Sequence, residues 1–253
     1  MYVAVPLAPP SPAADAAPSR RTRPRDAPIK ARRLLVALLL LVCVLSDLFL
    51  HQHVLLSHWR LLRHLVDSAA HGAVGACAWG LFLCFSRDKR ATPVVSVWRS
   101  WRPFVLSCLA TGILASALDI DHFVAAGALS LRGATHLQGR PFGHAVTFIL
   151  AASVAVWGVS RHCGVSRSQS ARRVCRVVIA WLSHQLRDGI RRGLWIWPLG
   201  STPALFYPLY LAMELALPIA LARWQRASFD DELDKNDDDD SEMGVERGEN
   251  ERC

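Results

Sequence analysis

Between Leu34 and Ala222 the chain alternates apolar runs, most of them close to the length that crosses a bilayer, with short loops in which arginine gathers. A hydrocarbon core of about 30 Å takes about 20 apolar residues in a helix, and inside it each backbone amide must find its partner within its own segment, so such a run is helical. The runs are Leu34 to Leu50, Leu65 to Phe85, Phe104 to Ala128, His144 to Ser160, Val174 to Leu186 and Ala204 to Ala222, the fifth being the shortest. They predict an all-α fold, a polytopic membrane helix bundle of about six transmembrane helices with disordered termini. Composition points to the same solvent: 52% of the 253 residues are hydrophobic and the mean hydropathy is positive, which suits a lipid bilayer better than a water-exposed surface.

The ends have different physics. Residues 1–33 are rich in alanine, proline and arginine without an apolar periodicity, and are expected to form a disordered cytoplasmic arm. Leu34 to Leu50 continues for about 17 residues, too long for the core of a cleaved leader, and reads as a signal anchor. After the multi-pass domain of 34–222, residues 223–253 turn acidic, with Asp237 to Asp240 in one block, and self-repulsion predicts an unfolded cytoplasmic tail. The net charge of +8 lies in loop clusters rather than along one face, which argues against a nucleic-acid partner. No C-x-x-C pair occurs among the seven cysteines, so a disulfide framework or zinc finger is not expected.

Orientation follows from basic residues in short loops, which stay on the cytoplasmic side. The arm, the second loop (Arg87, Lys89, Arg90, Arg99, Arg102) and the fourth (Arg161, Arg167, Arg172, Arg173, Arg176) are the richer set. Both termini are then cytoplasmic, and the first, third and fifth loops face the other side.

Ionisable groups in or beside these runs are the candidates for function, since each costs about 2.5–3.5 kcal/mol at a helix centre. Asp67 and His71 stand four apart near the start of the second run, as do His184 and Asp188 at the end of the fifth. Asp119, Asp121 and His122 form D-I-D-H late in the third, and His144 opens the fourth. Helices that alternate in direction bring all of these to one membrane level, with Asp47 of the first run as an outer-shell group. The expected metal ligands are His71, Asp119, Asp121, His122, His144, His184 and Asp188, a nitrogen and oxygen set suited to Zn, Mn or Fe as a divalent ion. Arg140, Arg187, Arg191 and Arg192 are expected to bind an anionic group.

D-I-D-H at 119–122, R-P-F-G-H at 140–144 and S-H-Q-L-R-D-G-I-R-R-G-L-W-I-W-P-L-G at 183–200 resemble the transmembrane protein 267 family, over roughly residues 34–222. More distantly the stations are similar to YdjM-type membrane-bound metal-dependent hydrolases, whose pattern reads T-H-x-x-x-G, D-x-D-H, H-R-G-x-T-H-S and S-H-x-x-x-D with a downstream glycine. His71 and Gly75 answer the first station, Asp119, Asp121 and His122 the second, Arg140 and His144 the third, and His184, Asp188 and Gly193 the last. Ala70, Gly139, Gly143 and Ala145 depart from that pattern, so accessory hydroxyls and one histidine are absent. The resemblance therefore implies metal binding more firmly than catalysis.

Neither a G-x-S-x-G elbow nor a P-loop lysine motif occurs, which leaves metal-assisted chemistry as the enzymatic reading. The expectation is a metal-binding membrane protein that hydrolyses a lipid-borne or phosphorylated substrate at one membrane face. The alternative is a non-catalytic scaffold or an ion or metal carrier. A carrier brings its ionisable groups to the midplane on broken helices, whereas these gather at one end.

Overall fold

The computed structural model describes residues 27–51, 60–86, 97–137 and 139–250. Its helices are α1 (Ala27–His51), α2 (Arg60–Ser86), α3 (Val97–Ser116), α4 (Ile120–Ala126), α5 (Leu131–Thr135), α6 (Val146–His162), α7 (Arg167–Arg192) and α8 (Tyr207–Asn250). One turn of 3-10 helix, Ala117–Asp119, joins α3 to α4, and a second, Phe142–His144, precedes α6. The predicted all-α bundle is what forms, with one addition. Trp195–Ile196 and Gly200–Ser201 pair as the antiparallel strands β1 and β2 of a small hairpin after α7.

α2 is the hub, packing against α1, α3, α7 and α8. Small residues let it sit there. A Cβ at Gly112 of α3 would lie 2.6 Å from the Gly72 carbonyl of α2, and one at Gly75 would lie 2.8 Å from Ala115 Cβ, so the two backbones touch. Such small-residue contacts are how helices associate where lipid is as apolar as leucine. Ser116 Oγ, one turn on, donates to the Ser68 carbonyl at 2.7 Å. Around this seam Leu39, Cys43, Val74, Leu81, Leu186 and Tyr210 form one buried cluster, and Trp79, Phe82, Cys175 and Ile179 belong to a second.

Three segments are long and apolar enough to cross a membrane: Lys30–Leu50, Leu61–Ser86 and Trp101–Ala126; Val146–His162 is apolar but shorter. The α2 segment is 56% buried against 17% and 22% for the other two, which puts α2 inside the bundle and the α1 and α3 segments at its periphery. α7 and the first part of α8 occupy the fifth and sixth expected runs, and both bury polar groups. Ser183, His184, Gln185, Arg187 and Glu214 point inward and are buried, while Leu38 and Leu41 of α1, Leu109 and Ile113 of α3, and Leu150 and Val154 of α6 are exposed. Apolar surface outside and polar groups inside is the arrangement a bilayer selects.

Several boundaries differ from the sequence expectations. α1 begins at Ala27, inside the expected arm, whose first 26 residues lie outside the described ones. The third run is divided at Ala117–Asp119, because the 3-10 turn tightens the backbone there, and His144 lies in a 3-10 turn before α6 rather than within it. α8 stays helical to Asn250 through the acidic segment expected to be unfolded. Much of the second loop, from Arg87 to Arg90, also lies outside the described residues. Among the described residues Cys43, Cys77, Cys108, Cys163 and Cys175 are free thiols.

Candidate metal centre

Helices and the turns between them bring the chemistry to one place. His71 comes from α2, Asp119 from the 3-10 turn, Asp121 and His122 from the first turn of α4, His144 from the 3-10 turn before α6, and His184 and Asp188 from successive turns of α7. Among the described residues they form three overlapping sets of donors: His71, His184 and Asp188; Asp119, His144 and His184; and Asp121, His122 and His144. Within each set the donor atoms lie within 4.8 Å of one another.

Hydrogen bonds fix how the central histidines face. The Nδ1 of buried His184 lies 2.9 Å from the Ala115 carbonyl, which can only accept, so Nδ1 carries the proton. His144 Nδ1 lies 2.9 Å from Asp121 Oδ2, a carboxylate oxygen that fixes the same tautomer. Both Nε2 atoms are left as lone pairs, and they face each other at 3.2 Å. Two acceptors at that distance need a cation or a shared proton between them.

Two carboxylates complete the arrangement. Asp119 Oδ1 is 3.5 Å from His184 Nε2 and 4.0 Å from His144 Nε2; Asp188 Oδ2 is 3.8 and 3.7 Å from the same atoms. Bonds of about 2.0–2.1 Å at tetrahedral angles put zinc ligands about 3.3 Å apart, so these separations approach the edges of a tetrahedral site. Backbone carbonyl and carboxylate partners on the far ring nitrogens are the usual means of orienting histidine ligands. By donor chemistry the residues fit a divalent ion. His71 stacks on His184, with ring centroids 3.7 Å apart, and His122 Nδ1 lies 3.0 Å from Asp121 Oδ1.

Behind the donors runs a chain of ion pairs. Arg187, 1% exposed, binds Asp67 Oδ1 at 2.6 Å and Asp47 Oδ1 at 3.1 Å, joining α7 to α2 and α1. Arg191 binds Asp67 Oδ2 at 3.2 Å and Asp188 Oδ1 at 2.6 Å. Tyr207 donates to Asp47 Oδ2 at 3.3 Å. Burial acts to raise the Asp188 carboxyl, but the hydrogen bond from His71 and the neighbouring Arg191 guanidinium outweigh it and hold the group well below the usual carboxylate range. Burial likewise works against the Arg191 guanidinium, and Asp188 and Asp67 overcome it, so its value lies above the ordinary one.

A recess of about 20 Å³ opens beside the donors, lined by His122, His144, Gln185 and Asp188 with Arg140 and Trp195. That is room for a single water. Arg140 closes the end of α7, donating to the Gly193 carbonyl at 3.0 Å and to the Arg192 carbonyl. The hairpin is held against the start of α6 by a parallel bridge between Trp195 and Ala145.

Transmembrane protein 267 of Mus musculus is 35% identical to this chain over 178 residues, 70% of this chain and 74% of its own. The protein of the same name from Xenopus laevis is 34% identical over 183 residues, covering 70% and 75%. The chain belongs to the transmembrane protein 267 family. That of Danio rerio, at 30% identity over 177 residues, covers a similar share. No family model matches the chain, and no solved structure does.

In this member of the family, sequence reasoning reached the histidines and aspartates at the site but not the groups that hold them. Arg187 and Arg191, expected to clamp an anion, are engaged by Asp47, Asp67 and Asp188, and Arg140 by backbone carbonyls. Gln185, which donates to the Gly143 carbonyl at 3.2 Å, carried no sequence signal beyond its place next to His184. Trp195 of the hairpin also lines the recess.

Proposed function

We propose that this membrane protein of the transmembrane protein 267 family holds a divalent metal ion between His144, His184, Asp119 and Asp188, and uses it to hydrolyse a lipid-borne or phosphorylated substrate at one membrane face. The observation that carries the reading is the approach of the two Nε2 atoms to 3.2 Å, each ring oriented from behind through its Nδ1. A bound ion of this kind supplies a Lewis acid that polarises a phosphoryl or acyl oxygen and makes water more acidic.

The protein's own groups have separate tasks. Asp121 and the Ala115 carbonyl keep the two imidazoles aimed inward, and Arg191 keeps Asp188 ionised and turned toward them. His122, beside Asp121 and on the wall of the recess, is placed to take a proton from a water held there. Arg187 ties α1, α2 and α7 so that the carboxylates do not drift apart. The distribution of basic loop residues supports cytoplasmic termini, with this face on the opposite side. Protease protection in sealed vesicles tests the orientation, and termini on different sides would refute it.

The competing reading is a non-catalytic scaffold, favoured by the same ion-pair chain, in which the cluster only pins helices together. Elemental analysis of the detergent-purified full chain beside a His144→Ala, His184→Ala double variant separates the two. Stoichiometric metal in the parent, lost from a variant that still elutes as a folded species, supports the site. Equal metal content in both folded proteins, or none in the parent, sinks it.

A further inference from the structure

A second cavity, of about 430 Å³, lies on the other side of the ion-pair chain. Its walls are Val44, Leu48 and Leu50 of α1, Ile190 of α7 and Tyr207 of α8, with Arg63 of α2. Asp47, Arg187 and Arg191 form its inner boundary and separate it from the metal donors. The volume falls in the range of small-molecule sites, about 300–1,000 Å³.

Charge within the cavity is unbalanced. Arg187 and Arg191 have their carboxylates, but among the described residues the half-buried Arg63 meets none. A guanidinium held at the rim of an apolar pocket without a counter-ion calls for an anion, and its planar fork suits the oxygens of a phosphate. Apart from Asp47 and Tyr207 the remaining lining is aliphatic, and Leu48 and its neighbour Phe49 are exposed on the outer surface of α1, where the bilayer lies. The occupant must therefore join an anionic head to an apolar chain and come from the membrane side.

We propose that this cavity binds an anionic phospholipid, its phosphate at Arg63 and an acyl chain along Val44, Leu48, Leu50 and Ile190. The binding does not depend on the metal reading, because Arg63, Leu48 and Val44 are not metal donors. Should the metal site also hold, the lipid would sit against Arg191, the residue that fixes Asp188.

Native mass spectrometry of the full chain in detergent micelles, titrated with phosphatidylglycerol or phosphatidylcholine, tests the proposal. The first phosphatidylglycerol should be retained about ten-fold more tightly than phosphatidylcholine, the scale of one charge-assisted pair. Arg63→Gln should bring phosphatidylglycerol down to the phosphatidylcholine level with metal content unchanged, and Leu48→Trp, which fills the cavity, should weaken both lipids. Excess inorganic phosphate should leave the lipid in place. Equal retention of the two lipids by the parent, a preference that survives Arg63→Gln, unaltered binding in Leu48→Trp, or displacement by inorganic phosphate would each overturn it. Loss of metal from His144→Ala, His184→Ala with lipid preference intact would show that the two sites are separate.

Discussion

His144 and His184 present their Nε2 atoms to each other at 3.2 Å, while the Nδ1 atoms are tied 2.9 Å away to Asp121 and to the Ala115 carbonyl. The Asp121 bond sets which nitrogen of His144 is free. Asp121→Asn keeps an acceptor oxygen but loses the charge, and partners of this kind are worth 10–100-fold in metal affinity. Competition with a metal indicator should show a drop of about that size with an unaltered elution profile. An affinity equal to the parent's would mean that Asp121 does not orient the ligand.

Arg187 is buried and ties α7 to α1 and α2. Arg187→Ala would leave Asp47 and Asp67 without their shared cation, and breaking a buried pair from one side costs about 3–5 kcal/mol. Thermal unfolding in detergent should show severe loss for Arg187→Ala and partial recovery when Asp47→Asn and Asp67→Asn are added. Stability indifferent to Arg187→Ala would show that the network contributes little.

Gly112 and Gly158 make a matched pair of helical glycines with opposite surroundings. Alanine at 112 would press its Cβ against the Gly72 carbonyl at 2.6 Å and should cost about 1–3 kcal/mol by forcing α2 and α3 apart. At 158 nothing lies within 4 Å, and alanine should stabilise α6 by about 0.5–1 kcal/mol. Denaturation of the two variants side by side decides it, since shifts of the same sign would contradict the packing.

Gly193 ends α7 at φ +70°, and a Cβ there would fall 1.9 Å from the Thr202 carbonyl. Gly193→Ala should displace the hairpin that carries Trp195 and the carbonyl to which Arg140 donates. Faster proteolytic cleavage between Trp195 and Pro203, with α1 to α6 intact, is the expected result. Cleavage at the parent's rate would show that the hairpin tolerates the side chain.

Much of the site could be read from spacing alone. Histidine and aspartate four apart share a helix face, and alternation of helix direction puts the first half of α2 and the start of α6 level with the end of α3 and the last turns of α7. What spacing cannot show is who neutralises whom. Arg187 and Asp67 are 120 residues apart and meet only because α7 packs on α2, so from sequence the arginine looked free to bind an anion. Asp47, read as an outer-shell group, does stand behind the donors, held by Arg187 and Tyr207. Two-residue strands carry no periodicity, so the hairpin left no trace beyond its proline and glycine. The division of the third run at Ala117–Asp119 was hidden because apolar residues continue on both sides of it.

The span between Asp67 and Arg187 also sets a clock on the ribosome. At about 5–20 residues per second, the aspartate is made about 6–24 s before the arginine that pairs with it. For that interval the start of α2 carries a carboxylate with no cation from α7 to meet it. Until α7 is made the cluster also lacks His184 and Asp188, so its histidines and aspartates come together only late in synthesis.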